Sequence, residues 1–526
     1  SRAFGRGTLT FVRPGNRKIL AYVREHAGEV ILCVANLART AQPVELDLRA
    51  YAGRVPVEML GRTAFPPIGQ LPYLLTLPGH HFYWFRLESN VAPPAWHVEM
   101  LAADELPVLV LFEGWDSLDA ERVAPWRRSL AESVRQQLEQ QVLPQYLEAQ
   151  RWFGAKGEPL GPVRIAQALP WLQAPAEWLL AVVEVESATG ASPPSRWFLP
   201  LTLAWDEVGE VPPLLKGAAL ARARRHARIG LVSEAMLDER FVQAVLAGLA
   251  NRQTVRLAHG ALRFRPTAAF PSLAGADVFE LSCRPLSAAS SNTTVALGER
   301  LLFKCFRRLA AGIHPEVEIG EFLTDAVGFP HTVRLAGSLE YEAPDGSRTT
   351  LGVVQEFVLN QGDGWRWATE YLERYLDRLN ACGAVAEDHG AFLSLIGTLA
   401  RRTASLHAAL ARGADRPAFA PEPVTAEDLA QWSDRVARDV EGTLARLEGA
   451  AERLPAPLQP LVGGLAGLRE ALAGLARTPT RLVPDGLVKT RHHGDYHLGQ
   501  VLLAKGDFVI VDFEGEPQRT MDERRA

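Results

Sequence analysis

The sequence predicts a multidomain α+β protein, and three observations carry that prediction. At 526 residues the chain is long enough for three to four cores. Short runs in which apolar and polar residues alternate, the period of half-buried strands, fill the first 88 residues and recur until about residue 358. Beyond Trp365 the apolar spacing becomes helical and stays so. The expected order is an all-β unit over 1–88, a linker over 89–104, a small α+β module over 105–205, a segment over 206–358 that completes this module and adds a β-rich lobe, and a helical lobe over 359–526.

The strands of the first unit are read in Lys18-Ile19-Leu20-Ala21-Tyr22-Val23-Arg24, Glu29-Val30-Ile31-Leu32-Cys33-Val34 and Val44-Glu45-Leu46-Asp47-Leu48, with Phe82-Tyr83-Trp84-Phe85-Arg86-Leu87 as the last. Gly, Pro and Asn between them supply the turns. The linker has Pro93 and Pro94 and no apolar period. After it, Leu109-Val110-Leu111-Phe112 reads as strand, and Leu130, Val134, Leu138 and Val142 mark a helix over 124–150. Residues 155–205 read as β, most clearly in Trp178-Leu179-Leu180-Ala181-Val182-Val183-Glu184-Val185, and 233–249 as helix.

From about Arg284 the order is strand, turn, strand, helix, strand. A Ser290-Ser291-Asn292-Thr293-Thr294 turn precedes the strand Arg300-Leu301-Leu302-Phe303-Lys304-Cys305-Phe306, Pro315 opens a helix carrying Glu316, Glu318 and Glu321, and Leu351-Gly352-Val353-Val354-Gln355-Glu356-Phe357-Val358 is the next strand. In the helical lobe Leu395, Leu399, Leu406 and Leu410 share a face, and Thr425-Ala426-Glu427-Asp428 forms a capping box ahead of Leu429, Trp432, Val436, Val440 and Leu447. The Leu-, Ala- and Gly-rich stretch 461–476 keeps a helical period.

Composition narrows the partners. A net charge of -5, with 56 Lys and Arg against 61 acids, gives no general pull toward nucleic acid or an anionic membrane. Cys33, Cys283, Cys305 and Cys382 form no C-x-x-C pair, so neither a zinc site nor a disulfide framework is indicated, and a reducing cytoplasm is the default. No apolar run reaches the roughly 18 residues of a membrane span.

The chemistry sits near the carboxyl end. Arg491-His492-His493-Gly494-Asp495-Tyr496-His497-Leu498-Gly499-Gln500 is followed by an apolar run that closes on Asp512-Phe513-Glu514. One acid, Asp495, can orient and deprotonate an acceptor hydroxyl. The amide oxygen of Gln500 and the carboxylate of Asp512 can hold Mg²⁺ against nucleotide phosphates. With a β-rich lobe ahead of a helical one, this is the order of a protein-kinase-like phosphotransferase.

Lys304, taken alone a solvated strand lysine, then acquires a role at the phosphates of ATP. Glu318 is the residue expected to pair with it, with Glu316 and Glu321 as rivals. Ser291, Asn292 and Thr293 lack a G-x-G-x-x-G pattern but can cap phosphate through amides and hydroxyls. Gln355, Glu356, Phe357 and Val358 would meet adenine through their backbone. His493 and His497 read as structural histidines.

These stretches, with Gln150-Arg151-Trp152-Phe153-Gly154-Ala155-Lys156-Gly157, His314-Pro315-Glu316-Val317-Glu318-Ile319 and Gln355-Glu356-Phe357-Val358-Leu359-Asn360-Gln361-Gly362-Asp363, resemble the maltokinases of the kind fused to trehalose synthase. The resemblance covers residues from about 105 to the end. It implies transfer of phosphate from ATP with Mg²⁺ to the anomeric hydroxyl of maltose, giving maltose 1-phosphate for α-glucan synthesis, and a cap ahead of the kinase lobes.

Residues 1–88 are similar to the β-sandwich that follows the barrel of trehalose synthases and α-amylases, which implies such a barrel in cis upstream of Ser1. Nothing here supplies that barrel or its carboxylate pair, so trehalose synthase activity is expected to be absent from this chain. The family continues past the Asp512 motif with helices that shape the sugar pocket, whereas fourteen residues follow Asp512 here. Poor turnover of maltose is therefore expected beside retained binding of ATP and Mg²⁺. Two alternatives stay open: a kinase of this fold for another small acceptor, such as an aminoglycoside, choline or a different sugar, and a non-catalytic carbohydrate-binding or scaffolding piece using Tyr83, Trp84, Trp152 and Trp197.

Overall fold

Alternation decides the first strands. In Ile19–His26, Ile19, Ala21 and Val23 are buried while Leu20 is exposed, because successive side chains leave a strand on opposite faces. This computed structural model describes residues 2–60, 63–69, 71–88, 106–150, 152–153, 160–174, 176–187, 194–206, 211–286, 291–382, 389–455, 458–476, 486–516 and 519–525. The expected linker at 89–104 lies outside them, as do Arg151, residues 154–157 and Ser290, and the side chain of Cys382.

The chain divides into two compact units. One holds Ser1–Lys156, Leu201–Leu237 and Leu286–Ser290; the other holds Gly157–Pro200, Asp238–Pro285 and Ser291–Ala526. The first contains a β-sandwich. A five-stranded antiparallel sheet runs Thr8–Val12, Ile19–His26, Glu29–Asn36, Phe82–Glu88, Val55–Glu58, and a two-stranded sheet pairs Gln42–Leu46 with Tyr73–Leu77. Val23, Leu32, Leu46, Leu77 and Phe85 fill the space between them. Each fully buried side chain of this kind contributes about 1.5–3 kcal/mol.

The same unit carries the hairpin Ala219–Arg225 and Arg228–Glu234 with Val108–Val110 alongside it in parallel. Its helices Arg128–Gln137 and Leu143–Ala149 are joined by a π-helical turn, Leu138–Val142. The wider turn keeps the four-residue spacing of Val134, Leu138 and Val142 on the buried side. Leu130, expected on that face, is exposed, and Ala131 is buried in its stead.

The second unit is built on a sheet whose neighbouring strands are Ala261–Pro266, Leu335–Glu342, Arg348–Glu356, Leu301–Cys305 and Thr293–Leu297, all antiparallel. Helix Glu239–Ala250 turns Phe241 into an aromatic cluster with Trp171, Trp178 and Phe264. The helical part comprises Gly364–Cys382, Gly390–Leu410, Ala426–Ala450, Gln459–Ala466 and Arg469–Ala476. Its core joins Phe322, Leu406, Leu410 and Phe419 to Val501, Phe508 and Ile510 of the hairpin Val501–Ala504 and Asp507–Ile510.

Thr425 and Asp428 close the expected capping box. The apolar stripe that follows is different: Leu429 is buried, but Trp432 and Val436 are exposed, so periodicity gave the helix and not its cover. Among the described residues no helix is long and apolar enough to cross a membrane.

Candidate active site

Lys304 sits on a central strand, facing Thr294 on one neighbour and Val353 on the other, and is 7% exposed. A buried ammonium needs partners, and the next helix brings one. His314 caps helix Pro315–Glu321, its Nδ1 accepting from the Glu316 N–H at 3.3 Å, and Pro315 fills the first helical position. The His314 ring stacks on Phe306 at 3.9 Å. Burial, with the Lys304 charge nearby, pushes its pKa down to about 3, so the ring is neutral and its Nδ1 free to accept.

This cap aims Glu316 at the lysine, with Oε2 2.8 Å from Lys304 Nζ. Glu318, the expected partner, does not reach it. Two residues on, about 200° around the helix, its Oε2 accepts instead from Arg491 Nη2 at 2.7 Å.

The hairpin Val501–Ala504 and Asp507–Ile510 returns the chain to the same lysine. Asp512 follows with φ 66, a conformation uncommon outside glycine, and its Oδ1 lies 2.7 Å from Lys304 Nζ. Glu514 Oε1 lies 2.6 Å from the same nitrogen and accepts from Asn292 Nδ2 at 2.6 Å. The Gln500 side chain lies close to Asp512 and helps hold its carboxyl down. The carboxylates of Glu316, Asp512 and Glu514 offer oxygens within 4.8 Å of one another.

Three acids therefore compete for one ammonium. Burial works against the lysine's charge, but Glu316, Glu514 and Asp512 outweigh it and hold its pKa well above the usual value. Burial pushes Asp512 up and Lys304 pulls it down further, leaving it below the usual carboxylate range. Glu316 goes the other way, burial lifting it to about 8 against the pull of Lys304, and Glu514 is raised for the same reason. Lys304 and Asp512 carry opposite charges, and Glu316 holds a proton near neutral pH.

The acid loop is anchored at two points. Arg491 is buried on Glu318, its guanidinium 5.7 Å from the centre of the Phe419 ring. His493 donates through Nε2 to the Val511 carbonyl at 2.9 Å and accepts at Nδ1 from the Asp495 N–H at 3.4 Å, which fixes the neutral tautomer; burial lowers its pKa against that carbonyl. Between them Gly494 has φ 87, and a Cβ there would stand 2.9 Å from Gly515 Cα. Asp495 itself is half-buried.

The expected nucleotide contacts are placed unevenly. Ser291 is exposed. Asn292 is engaged on both sides, its Oδ1 accepting from the Arg307 N–H at 3.2 Å, and Thr293 Oγ1 accepts from the Arg307 guanidinium at 2.6 Å and 2.9 Å. Gln355 is buried beside Leu302 and Leu335. The Glu356 and Phe357 N–H groups donate to Arg334 and Arg300 carbonyls, each at 2.9 Å, so these donors are not the ones a base would meet. The Val358 carbonyl accepts from Asn360 at 2.9 Å.

Sequence reasoning passed over Glu514, although it stands in the Asp512-Phe513-Glu514 run. It also passed over Arg307, whose burial has no signature in a Phe-Arg-Arg string.

Comparison with known proteins adds family to geometry. Residues 9–84 match the Maltogenic Amylase, C-terminal domain, residues 146–243 the Maltokinase N-terminal cap domain, and residues 282–515 the Phosphotransferase enzyme family. The chain carries these three domains in that order. Every acid and amide around Lys304 lies within the phosphotransferase domain.

Trehalose synthase of Pimelobacter sp. (strain R48) is 61% identical over 89 residues, 16% of this chain and 16% of that protein. Glucosamine kinase of Streptacidiphilus jiangxiensis is 32% identical over 240 residues, 45% of this chain and 48% of that one. The chain thus matches about a sixth of the length of the first relative and about half of the second. A solved structure of glucosamine kinase in complex with glucosamine, ADP and inorganic phosphate is 24% identical at a TM-score of 0.44, covering 73% of this chain and 74% of that one.

Proposed function

We propose that the phosphotransferase domain transfers the terminal phosphate of ATP, with Mg²⁺, to the anomeric hydroxyl of maltose, giving maltose 1-phosphate, and that it works in a fusion with trehalose synthase. The observation that carries this reading is Lys304 held by Glu316 against Asp512 and Glu514, in a domain that also bears the Asp495 loop and follows a maltokinase-type cap.

The donor set fits Mg²⁺. Carboxylate and amide oxygens are the ligands a hard cation takes, and the three carboxyls bring oxygens within 4.8 Å of one another. Asp512 and Gln500 would hold the ion, with Glu514 beside them. Bound there, it supplies charge neutralisation to the transferring phosphoryl group.

The chain's own residues do the rest. Lys304 draws the phosphate oxygens into place, Glu316 keeps it aimed, and Ser291 to Thr293 approach the phosphates through the backbone. Adenine lies along the segment that ends at Val358. Asp495 orients the sugar hydroxyl and takes its proton as the new bond to phosphorus forms and the bond to the leaving diphosphate breaks, a contribution of about 10²–10⁴ in rate.

Glucosamine kinase identity over 240 residues favours a second reading, an amino sugar as acceptor. Phosphate transfer from ATP with Mg²⁺ over a panel of sugars, with Asp495→Asn beside the unmodified protein and both in their fusion with trehalose synthase, separates them. Maltose is expected to be the acceptor, with the variant down at least about a hundredfold. Transfer to glucosamine alone overturns the acceptor, and activity that survives in the variant overturns the role of Asp495.

A further inference from the structure

We infer that Glu318 is a positioning residue, which acts through Arg491 to hold the Asp495 loop in register with the lysine site. The inference rests on the proposed phosphotransfer and adds a residue to it. Helix Pro315–Glu321 is seven residues long, and its two acids serve different segments: Glu316 meets Lys304 at 2.8 Å, and Glu318 meets Arg491 at 2.7 Å.

The second pair is as enclosed as the first, with side-chain exposures of 3% for Arg491 and 11% for Glu318. Burying two charges is costly unless the geometry is good, so a pair placed here constrains both segments. Packing follows the same line. The Arg491 guanidinium lies over Phe419, and Phe419 stacks at 3.9 Å on Phe322, the residue next after the helix.

Four residues beyond Arg491 comes Asp495. The loop's other anchor, His493 on Val511, ties it to the segment leading into Asp512. One helix therefore sets the lysine on one side and, through Arg491, the entry to the acid loop on the other. A shift of the helix moves both, and loss of Glu318 frees only the loop.

The test uses the full chain with Glu318→Gln, Arg491→Met, the two combined, Glu318→Asp as a variant that keeps the charge, and Glu316→Gln as comparison. Two measurements are made: amide hydrogen exchange over 491–500 and over the strand Leu301–Cys305, and steady-state phosphate transfer. Glu318→Gln is expected to speed exchange over 491–500 by at least about tenfold while leaving the lysine strand unchanged. It should lower kcat by at least about tenfold with KM for ATP within about twofold.

The double variant should lose no more than either single one, since both remove the same link, and Glu318→Asp should recover part of the loss. Glu316→Gln should do the reverse, raising KM for ATP without loosening 491–500. Unchanged exchange over 491–500 in Glu318→Gln, or additive losses in the double variant, overturns the inference. A parent chain that transfers phosphate to no acceptor, with exchange as expected, overturns the proposed reaction and leaves the positioning role standing.

Discussion

Replacing Lys304 by Met keeps an unbranched side chain of similar length on the strand and removes the one cation that three acids share. The ammonium lies 2.8 Å from Glu316, 2.7 Å from Asp512 and 2.6 Å from Glu514, with its side chain 9% exposed. Removing one partner of a buried pair costs about 3–5 kcal/mol because the other charge is left uncompensated. For a unit of this size that moves the thermal transition down by roughly 4–7 °C.

The cost must depend on pH, and its sign follows from the acids. In the parent chain Asp512 sits below the usual carboxylate range, so its stabilising contribution is present above the unfolded-state value and is lost as pH falls through the folded one. Glu316 and Glu514 are raised in the parent already and destabilise both proteins as pH rises; the gap grows chiefly through Asp512, which burial would raise once Lys304 is gone, so that it destabilises above its unfolded value. Lys304, raised well above its usual pKa, titrates outside this window. The gap between parent and variant should therefore be widest near about pH 8 and narrow toward about pH 5, where the acids take up protons. Calorimetric scans of both proteins across that range measure it. A gap that stays flat, or widens on acidification, would refute the three-acid account.

Two further outcomes follow from the same geometry. Because Glu316, raised to about 8, holds a proton that a cation must displace, Mg²⁺ binding should tighten from about pH 6 to about pH 8 with proton release; titration calorimetry in two buffers of different ionisation enthalpy would show none if that acid is already bare. Gly494→Ala places a Cβ against Gly515 at a φ of 87, a strain of about 1–3 kcal/mol, and should lower kcat at least about tenfold, a result refuted by parent-like kinetics.

Much of the site was legible in the sequence where local chemistry sets it. The turn glycine, the acid after it and the Asp512 run are contiguous, and Lys304 announced itself by strand period and position. Helix phase was not legible. Pro315 marks the first turn, but Glu316 and Glu318 are both acids in that turn, and the choice between them depends on where the helix lands relative to the sheet, which His314 decides by capping it.

Asn292 was read as facing phosphate because small polar residues in a turn can do so, yet its amide is engaged by Glu514, more than 200 residues away. Long-range pairings of this kind leave no local trace. The fold shows the same division: the Thr425 capping box is local and was readable, whereas the exposure of Trp432 and Val436 depends on what the rest of the chain lays over them.

The contact of Gly494 with Gly515 bears on how such a domain diversifies. Backbone meets backbone there, so the spacing between the loop that carries Asp495 and the segment that carries Asp512 and Glu514 is set without any side chain. Drift in the surrounding apolar residues can alter their volumes while that spacing stays fixed. Under the proposed reaction, acceptor preference can then change while the groups around Lys304 keep their mutual geometry, and libraries aimed at new acceptors should vary the walls of the site and leave these two glycines untouched.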